Sequence, residues 1–239
     1  MSNQKPVYLL AGGRGRSGKT TDSIIQTVFR DIGKPSPTIA YVGAASEDNE
    51  DFFKFIGTMI KKAGDSEIIH ALIYPENADL RKAQDILKSA DAVFMSGGDV
   101  ERGMQVLEEK NMICLLQDLF KQGKLFFGIS AGSIMLAKEW VRWSDPDDGS
   151  TAELFPCLGL VPVICDTHGE ADGWEELKTL LKLKEDNVKG YGITTETCLK
   201  VFLDGKVEAL GGAIYQYIRH REKVERQHDV LPINPLCKL

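Results

Sequence analysis

The chain has 239 residues, is 43% hydrophobic and 27% charged, and carries a formal net charge of −6. That length suits one large domain with a sizeable core, and the acidic balance argues against nucleic acid or an anionic membrane as the main partner. The five cysteines (Cys114, Cys157, Cys165, Cys198 and Cys237) are scattered, odd in number and free of any C-x-x-C pair, which argues against a disulfide framework or a zinc site and predicts a reducing, cytoplasmic setting. The opening stretch "MSNQKPVYLL" lacks the apolar core of a signal peptide, and no apolar run is long enough to cross a membrane.

In chain order, short apolar runs alternate with amphipathic stretches. Strands are predicted at "VYLLAG" (7–12), "TIAYVGA" (38–44), "EIIHALIY" (67–74), "DAVFMSG" (91–97), "KLFFGIS" (124–130), "VPVICDTH" (161–168) and "KGYGITTE" (189–196). A late pair, "CLKVFLD" and "KVEALGG", is split by Asp204-Gly205 and reads as a hairpin. Helical stripes appear at Ile24, Ile25, Val28, Phe29 and Ile32, at Phe52, Phe53, Phe55, Ile56, Met59 and Ile60, and at Leu177, Leu180 and Leu181. Alternating strand and helix implies a largely parallel sheet covered on both faces, within a single domain over 1–239. The run "RHREKVERQHD" makes residues 220–239 read as a charged C-terminal tail. In open parallel sheets ligands bind at the carboxyl ends of the strands, which here read "AGG", "GAAS", "SGGD", "GISAGS", "DTHGE" and "ITTE".

Two motifs compete on that rim. "GGRGRSGKT" (12–20) fits G-x-x-x-x-G-K-T, the phosphate-binding P-loop, between a strand and a helix. A working P-loop also needs an acidic residue ending a neighbouring strand to hold Mg²⁺. Here "TIAYV" runs into Gly43-Ala44-Ala45, "AVFM" into Ser96-Gly97-Gly98 and "KLFF" into Gly128-Ile129-Ser130, so no strand supplies one. The second motif is G-x-S-x-G, as Gly128, Ser130 and Gly132, with an apolar strand leading in and a helix-like run, Ile134 to Trp140, leading out. That is the pattern of a nucleophile elbow, in which a sharp strand-to-helix turn projects the serine hydroxyl from the rim.

A serine hydroxyl needs a base to become a nucleophile. Of the four histidines, His70 lies in an apolar strand and His220 and His228 in the charged tail, whereas His168 ends a strand next to Gly169. The base in turn needs an orienting carboxylate. Asp145, in the loop "WSDPDDG", Asp166, two residues before His168, and Glu196, ending the next strand, are all candidates, and spacing does not choose among them. The oxyanion formed on attack needs backbone N–H donors. Ala131, just after the serine, and the glycine pair Gly97 and Gly98 are placed to supply them.

"SGGDV", "GISAGS" and "DTH", in this order and at these spacings, resemble the peptidase E (aspartyl dipeptidase) and cyanophycinase family of serine peptidases. "GAASED" (43–48) and "YGITTET" (191–197) add to the likeness, which spans about residues 5–215. The resemblance implies a class I glutamine-amidotransferase-like, flavodoxin-like three-layer α/β/α fold, with serine in place of cysteine. It implies Ser130 as nucleophile, His168 as base, and Gly98 and Ala131 as the oxyanion hole. Asp145 matches the triad acid of peptidase E, whereas the cyanophycinases carry a glutamate in G-I-D-E, where this chain reads Gly192-Ile193-Thr194-Thr195 one position before Glu196. That departure from the cyanophycinase pattern implies Asp145 as the triad acid, with Glu196 and Asp166 as the alternatives. The implied substrate is a small peptide or isopeptide, with no cofactor, no metal, no nucleic acid and no membrane involved, and a homodimer is left open.

Two departures bear on specificity. Asp99 follows the glycine pair where the family often has G-G-G-N-T, so its charge would sit near the oxyanion pocket if it faced inward. Peptidase E reads the substrate aspartate with an arginine in G-E-T-R, where this chain has Gly169-Glu170-Ala171-Asp172. Glu170 and Asp172 therefore predict a neutral or basic side chain at the specificity site, unless Arg142, Arg14 or Arg16 reaches the pocket from elsewhere on the rim. A nucleotide-binding P-loop protein and a catalytically silent binding module on the same fold are the competing readings.

Overall fold

The computed structural model describes residues 5–13, 19–145 and 147–232. In chain order the elements are β1 (Val7–Leu10), α1 (Lys19–Ile32), β2 (Thr38–Val42), α2 (Glu50–Ala63), β3 (Glu67–His70), α3 (Leu80–Ser89), β4 (Ala92–Met95), α4 (Val100–Glu109), α5 (Ile113–Lys121), β5 (Leu125–Ile129) and α6 (Ala131–Leu136). The hairpin β6 (Glu139–Trp143) and β7 (Ala152–Pro156) comes next, then β8 (Ile164–Thr167), α7 (Glu175–Lys182), β9 (Lys189–Ile193), β10 (Cys198–Val201), β11 (Val207–Leu210), β12 (Tyr215–His220) and β13 (Lys223–Arg226). Among the described residues no helix is long and apolar enough to cross a membrane.

The central sheet has seven strands in the order β11-β10-β1-β5-β4-β2-β3. β1, β5, β4, β2 and β3 run parallel, and the Asp204-Gly205 hairpin adds β10 and β11 antiparallel at one edge. Successive residues of a strand face opposite sides of the sheet, so each inner strand feeds two cores. Val7, Leu9, Val42, Met95 and Phe126 pack into one, under α3 to α6. Tyr8, Leu10, Tyr41, Phe94 and Phe127 pack into the other, where α1 contributes Ile24, Ile25, Val28 and Phe29 and α2 contributes Ile56 and Ile60. Phe55, expected on the same stripe, lies on the outer face of α2 and is exposed. Burial on both faces explains why these strands read as continuous apolar runs rather than as alternating ones.

The predicted order of strands holds, with three corrections. First, β8 and β9 do not join the central sheet. They pair parallel with each other and lie in a separate four-stranded sheet, β13-β12-β9-β8. Second, the charged tail is structured through residue 232: β12 and β13 form an antiparallel ribbon on β9, and Ile214 bridges Val230. α7 covers this sheet with Leu177, Leu180, Leu181 and the buried Trp174. Third, the helix after Ser130 ends at Leu136, and Trp140 belongs to β6, paired antiparallel with β7.

Candidate active site

The turn from β5 into α6 is set by packing. Ser130 has φ +51° and ψ −124°, a strained geometry for a residue with a side chain. Its N–H donates to the Leu10 carbonyl at 2.9 Å, and the buried Ser133 hydroxyl donates to the same oxygen at 2.8 Å, so the end of β1 anchors the elbow. A β-carbon on Gly132 would collide with the Met95 and Ser96 carbonyl oxygens, and one on Gly128 would meet Gly132 at 2.6 Å. The two glycines thus let a helix start directly against neighbouring strand ends. Gly132→Ala is expected to cost about 1–3 kcal/mol through overpacking. Thermal unfolding several degrees lower, together with slower modification of Ser130, would show it; an unchanged melting temperature would not fit this packing.

Ser130 and His168 meet although they come from different sheets. The Ser130 Oγ lies 2.8 Å from His168 Nε2. His168 follows β8, takes φ +46°, and donates its backbone N–H to the Ile193 carbonyl at 2.9 Å. The Trp174 ring packs where β-carbons on Gly169 and Gly192 would stand, 2.9 Å away in each case. This buried indole holds the loop after His168 against β9, and the spacing of residues carried no signal of it.

Gly97 and Gly98 lie over the serine. A β-carbon on Gly97 would stand 3.3 Å from Ser130 Cβ, and Gly98 has φ +140°, which favours glycine. The Gly98 N–H makes no hydrogen bond among the described residues. Ala131 is the first residue of α6, where an N–H has no intrahelical partner. Asp99 is committed elsewhere: its carboxylate caps α4, accepting from the Arg102 N–H at 2.7 Å.

The three carboxylates considered as partners of His168 sit in different places. Asp145 lies at the exposed tip of the β6–β7 hairpin, where its Oδ1 accepts from the Asp147 N–H at 3.0 Å. It is not brought to His168 by any hydrogen bond among the described residues, because the segment after α6 forms a strand that carries the loop away. Asp166 is buried in the cleft beside His168, and its Oδ1 accepts from the Thr167 N–H at 2.6 Å. Glu196 lies in the turn after β9, with φ +61° and its N–H on the Gly12 carbonyl, and its Oε1 is buried without a hydrogen bond among the described residues.

Ser130, Ala131, Gly98 and His168 open onto a cleft of about 270 Å³ whose far wall is acidic, with Asp99, Asp166, Asp172 and Glu176 in its lining. Burial, with the nearby charges of Asp172 and Glu170 adding, raises the Asp166 carboxyl to about 6 against the opposing Thr167 N–H bond. Burial, with Asp166 and Asp172 adding, raises Glu176 to about 7. The Asp172 carboxylate accepts from the Trp174 N–H at 2.9 Å, and Glu170 accepts from the Thr195 N–H at 2.6 Å, outside the cleft lining. Glu176 was not singled out from the sequence; it is the second residue of α7, where it and Glu175 look like ordinary N-terminal charges. Arg142 is occupied by Glu153 at 2.7 Å and Glu101 at 3.4 Å and does not line the cleft. Arg14 and Arg16, with most of the P-loop-like run, lie outside the described residues, while Gly12 and Gly13 take φ +76° and +107° and Lys19 opens α1.

The model of peptidase family S51 matches residues 7–208. Cyanophycinases from Synechococcus elongatus and Thermosynechococcus vestitus are each 25% identical over 223 residues, covering 88% of this chain and 67% of theirs. Among solved structures, a peptidase from an acI-B1 actinobacterium aligns with a TM-score of 0.69 at 16% identity, covering 95% of this chain and 97% of its own. A peptidase E-like protein from Listeria monocytogenes EGD-e aligns with a TM-score of 0.60 at 15% identity, covering 86% and 98%. The family match over the central sheet and the cleft, with relatives of the same peptidase type, identifies the chain as a member of peptidase family S51, a serine-type peptidase.

Proposed function

We propose that the protein hydrolyses amide bonds in small peptides or isopeptides through Ser130 and His168. The observation that carries this reading is the 2.8 Å contact between Ser130 Oγ and His168 Nε2 at a strained elbow opening onto the cleft. Ser130 Oγ attacks the scissile carbonyl carbon while its proton passes to His168 Nε2. The carbonyl oxygen, now negative, is held by the Gly98 and Ala131 N–H groups. The intermediate collapses, the C–N bond breaks, and His168 returns the proton to the leaving amine. Water, deprotonated by His168, then attacks the acyl-serine, and the acid departs with Ser130 regenerated. Covalent labelling of the wild-type protein by a fluorophosphonate tests the reading directly, since a silent binding module would not react.

Glu196 is the better-supported orienting carboxylate. It stands three residues after Ile193, whose carbonyl accepts from the His168 backbone, whereas Asp145 is engaged at a hairpin tip. Glu196→Gln is expected to lower kcat by about 10²–10⁴, the range seen when the carboxylate partner of a catalytic histidine is neutralised. Asp145→Asn should stay within about threefold of wild type, as expected for a group outside the reacting constellation. The reverse pattern in steady-state kinetics would return the role to Asp145.

The acidic wall favours substrates with a neutral or basic side chain beside the scissile bond and disfavours aspartyl ones. No lysine or arginine lines the cleft among the described residues.

A further inference from the structure

We infer that Asp48 is a positioning residue for the oxyanion donor at Gly98, acting through the loop after β2. This rests on the hydrolase reading above. The side chain of Asp48 is 1% exposed, yet it is fully engaged. Its Oδ2 accepts from the Ile73 N–H at 2.6 Å and the Tyr74 N–H at 2.7 Å, and its Oδ1 lies 3.0 Å from His70 Nε2. Burying a carboxylate is costly unless it is paired and hydrogen-bonded, so a site with this many donors holds its carboxylate in one place.

What Asp48 holds is a strained loop. Glu47 and Asp48 both take left-handed backbone, with φ +54° and +52°, which two consecutive non-glycine residues adopt only when their surroundings impose it. The Asp48 and Ser46 N–H groups both donate to the Gly43 carbonyl at 2.9 Å, closing the loop on itself. The clamp to Ile73 and Tyr74 ties that closed loop to the chain beyond β3.

The loop in turn shapes the glycine pair above Ser130. The Ala45 carbonyl accepts from the Asp99 N–H at 2.8 Å, and the Ser46 and Ser96 hydroxyls lie 3.1 Å apart. A β-carbon on Gly98 would collide with the Ala45 carbonyl. The Ala45 carbonyl therefore bonds the peptide that follows Gly98 and sets how closely Gly98 can lie, and so where its free N–H points. None of these residues touches the reacting atoms. Their effect would be to fix a donor to within the few tenths of an ångström that oxyanion stabilisation requires.

The test is the second-order rate of inactivation by a fluorophosphonate, whose phosphoryl oxygen would occupy the oxyanion position, measured beside KM and kcat on the best peptide substrate. Asp48→Ala should slow inactivation and lower kcat by about 30-fold or more, with KM changed less than about threefold, because a donor used in the transition state is misplaced while ground-state binding is kept. Asp48→Asn keeps an acceptor towards Ile73 and Tyr74 and a group towards His70, and should recover most of the rate. If Asp48→Ala fails to fold, Ser46→Ala removes only the hydroxyl's links to Ser96 and to the Gly43 carbonyl, leaves the backbone bonds of the loop in place, and should slow inactivation by about three- to tenfold with little change in melting temperature. A folded Asp48→Ala or Ser46→Ala protein with wild-type inactivation, or one whose loss falls on KM, overturns the positioning role and leaves the hydrolase reading standing. Failure of the wild-type protein to react overturns the hydrolase reading and the positioning role with it.

Discussion

Ser130→Ala should abolish fluorophosphonate labelling and lower kcat by about 10³-fold or more, equivalent to roughly 4 kcal/mol of transition-state stabilisation. The residual rate would come from the oxyanion donors and substrate binding, which the substitution leaves in place. Stability offers a second readout that a merely structural serine would not satisfy. Ser130 sits at φ +51° and ψ −124°, a region that alanine tolerates no better than serine and glycine tolerates readily. Ser130→Ala should therefore be no more stable than wild type, whereas Ser130→Gly should gain about 1 kcal/mol, within the range for relieving such strain. Both variants should be inactive. An inactive glycine variant more stable than the active protein would show that the elbow holds strain for the sake of the hydroxyl's position. Full labelling of the alanine variant would place the nucleophile elsewhere.

The parts of this site that were legible in the sequence are those in which one short segment carries the whole constraint. Gly128, Ser130 and Gly132 announce the elbow because close packing against Met95 and Ser96 admits no β-carbon at 132. The buried strands announce themselves as apolar runs because both faces are covered. Where the constraint spans segments, the sequence is ambiguous. "IMLAKEW" reads as a helical run, yet the chain leaves the helix at Leu136 so that Trp140 and Val141 can back α7 in a small third core. "YQYIRHREKVER" reads as charged, but its strands are half-exposed in a four-stranded sheet, where lysine, arginine and glutamate face solvent. That sheet carries His168, so the pair is assembled between two sheets, and the two residues are 38 positions apart in the chain. The roles of Asp48, the last residue of "GAASED", and of Glu176 were not legible for a related reason. Each acquires its role from groups donated by distant segments: Ile73 and Tyr74 for one, the buried Asp166 for the other.

The acidic wall of the cleft leads to the second large effect, a charge preference that changes with pH. An aspartyl side chain next to the scissile bond would face Asp166, Asp172 and Glu176 with no cation to pair it among the described residues. A buried charge left without its partner typically costs several kcal/mol, so kcat/KM for an Asp-headed dipeptide amide should fall at least about tenfold below the Ala- and Arg-headed ones at pH 8. At pH 5.5 the gap should shrink, because Asp166 at about 6 and Glu176 at about 7 are then largely protonated and no longer add their charges to the wall. Taking the ratio of two substrates cancels the titration of the catalytic base common to both. The same two groups tie stability to pH. Their native values lie above the ordinary carboxylate values of 3.8 and 4.5, so the native state binds more protons than the unfolded chain between about 4 and 7. Their effect on stability is therefore most favourable below about 4 and is lost as pH rises through 7. Glu176→Gln removes one of the two charges that would otherwise form. It should flatten the fall in melting temperature over that interval, reduce the pH dependence of the Arg-to-Asp ratio, and leave Ser130 reactive to fluorophosphonate. An Asp preference above about tenfold at pH 8 would refute the charge argument, and Arg142→Ala would then show whether that guanidinium leaves Glu101 and Glu153 to meet the substrate.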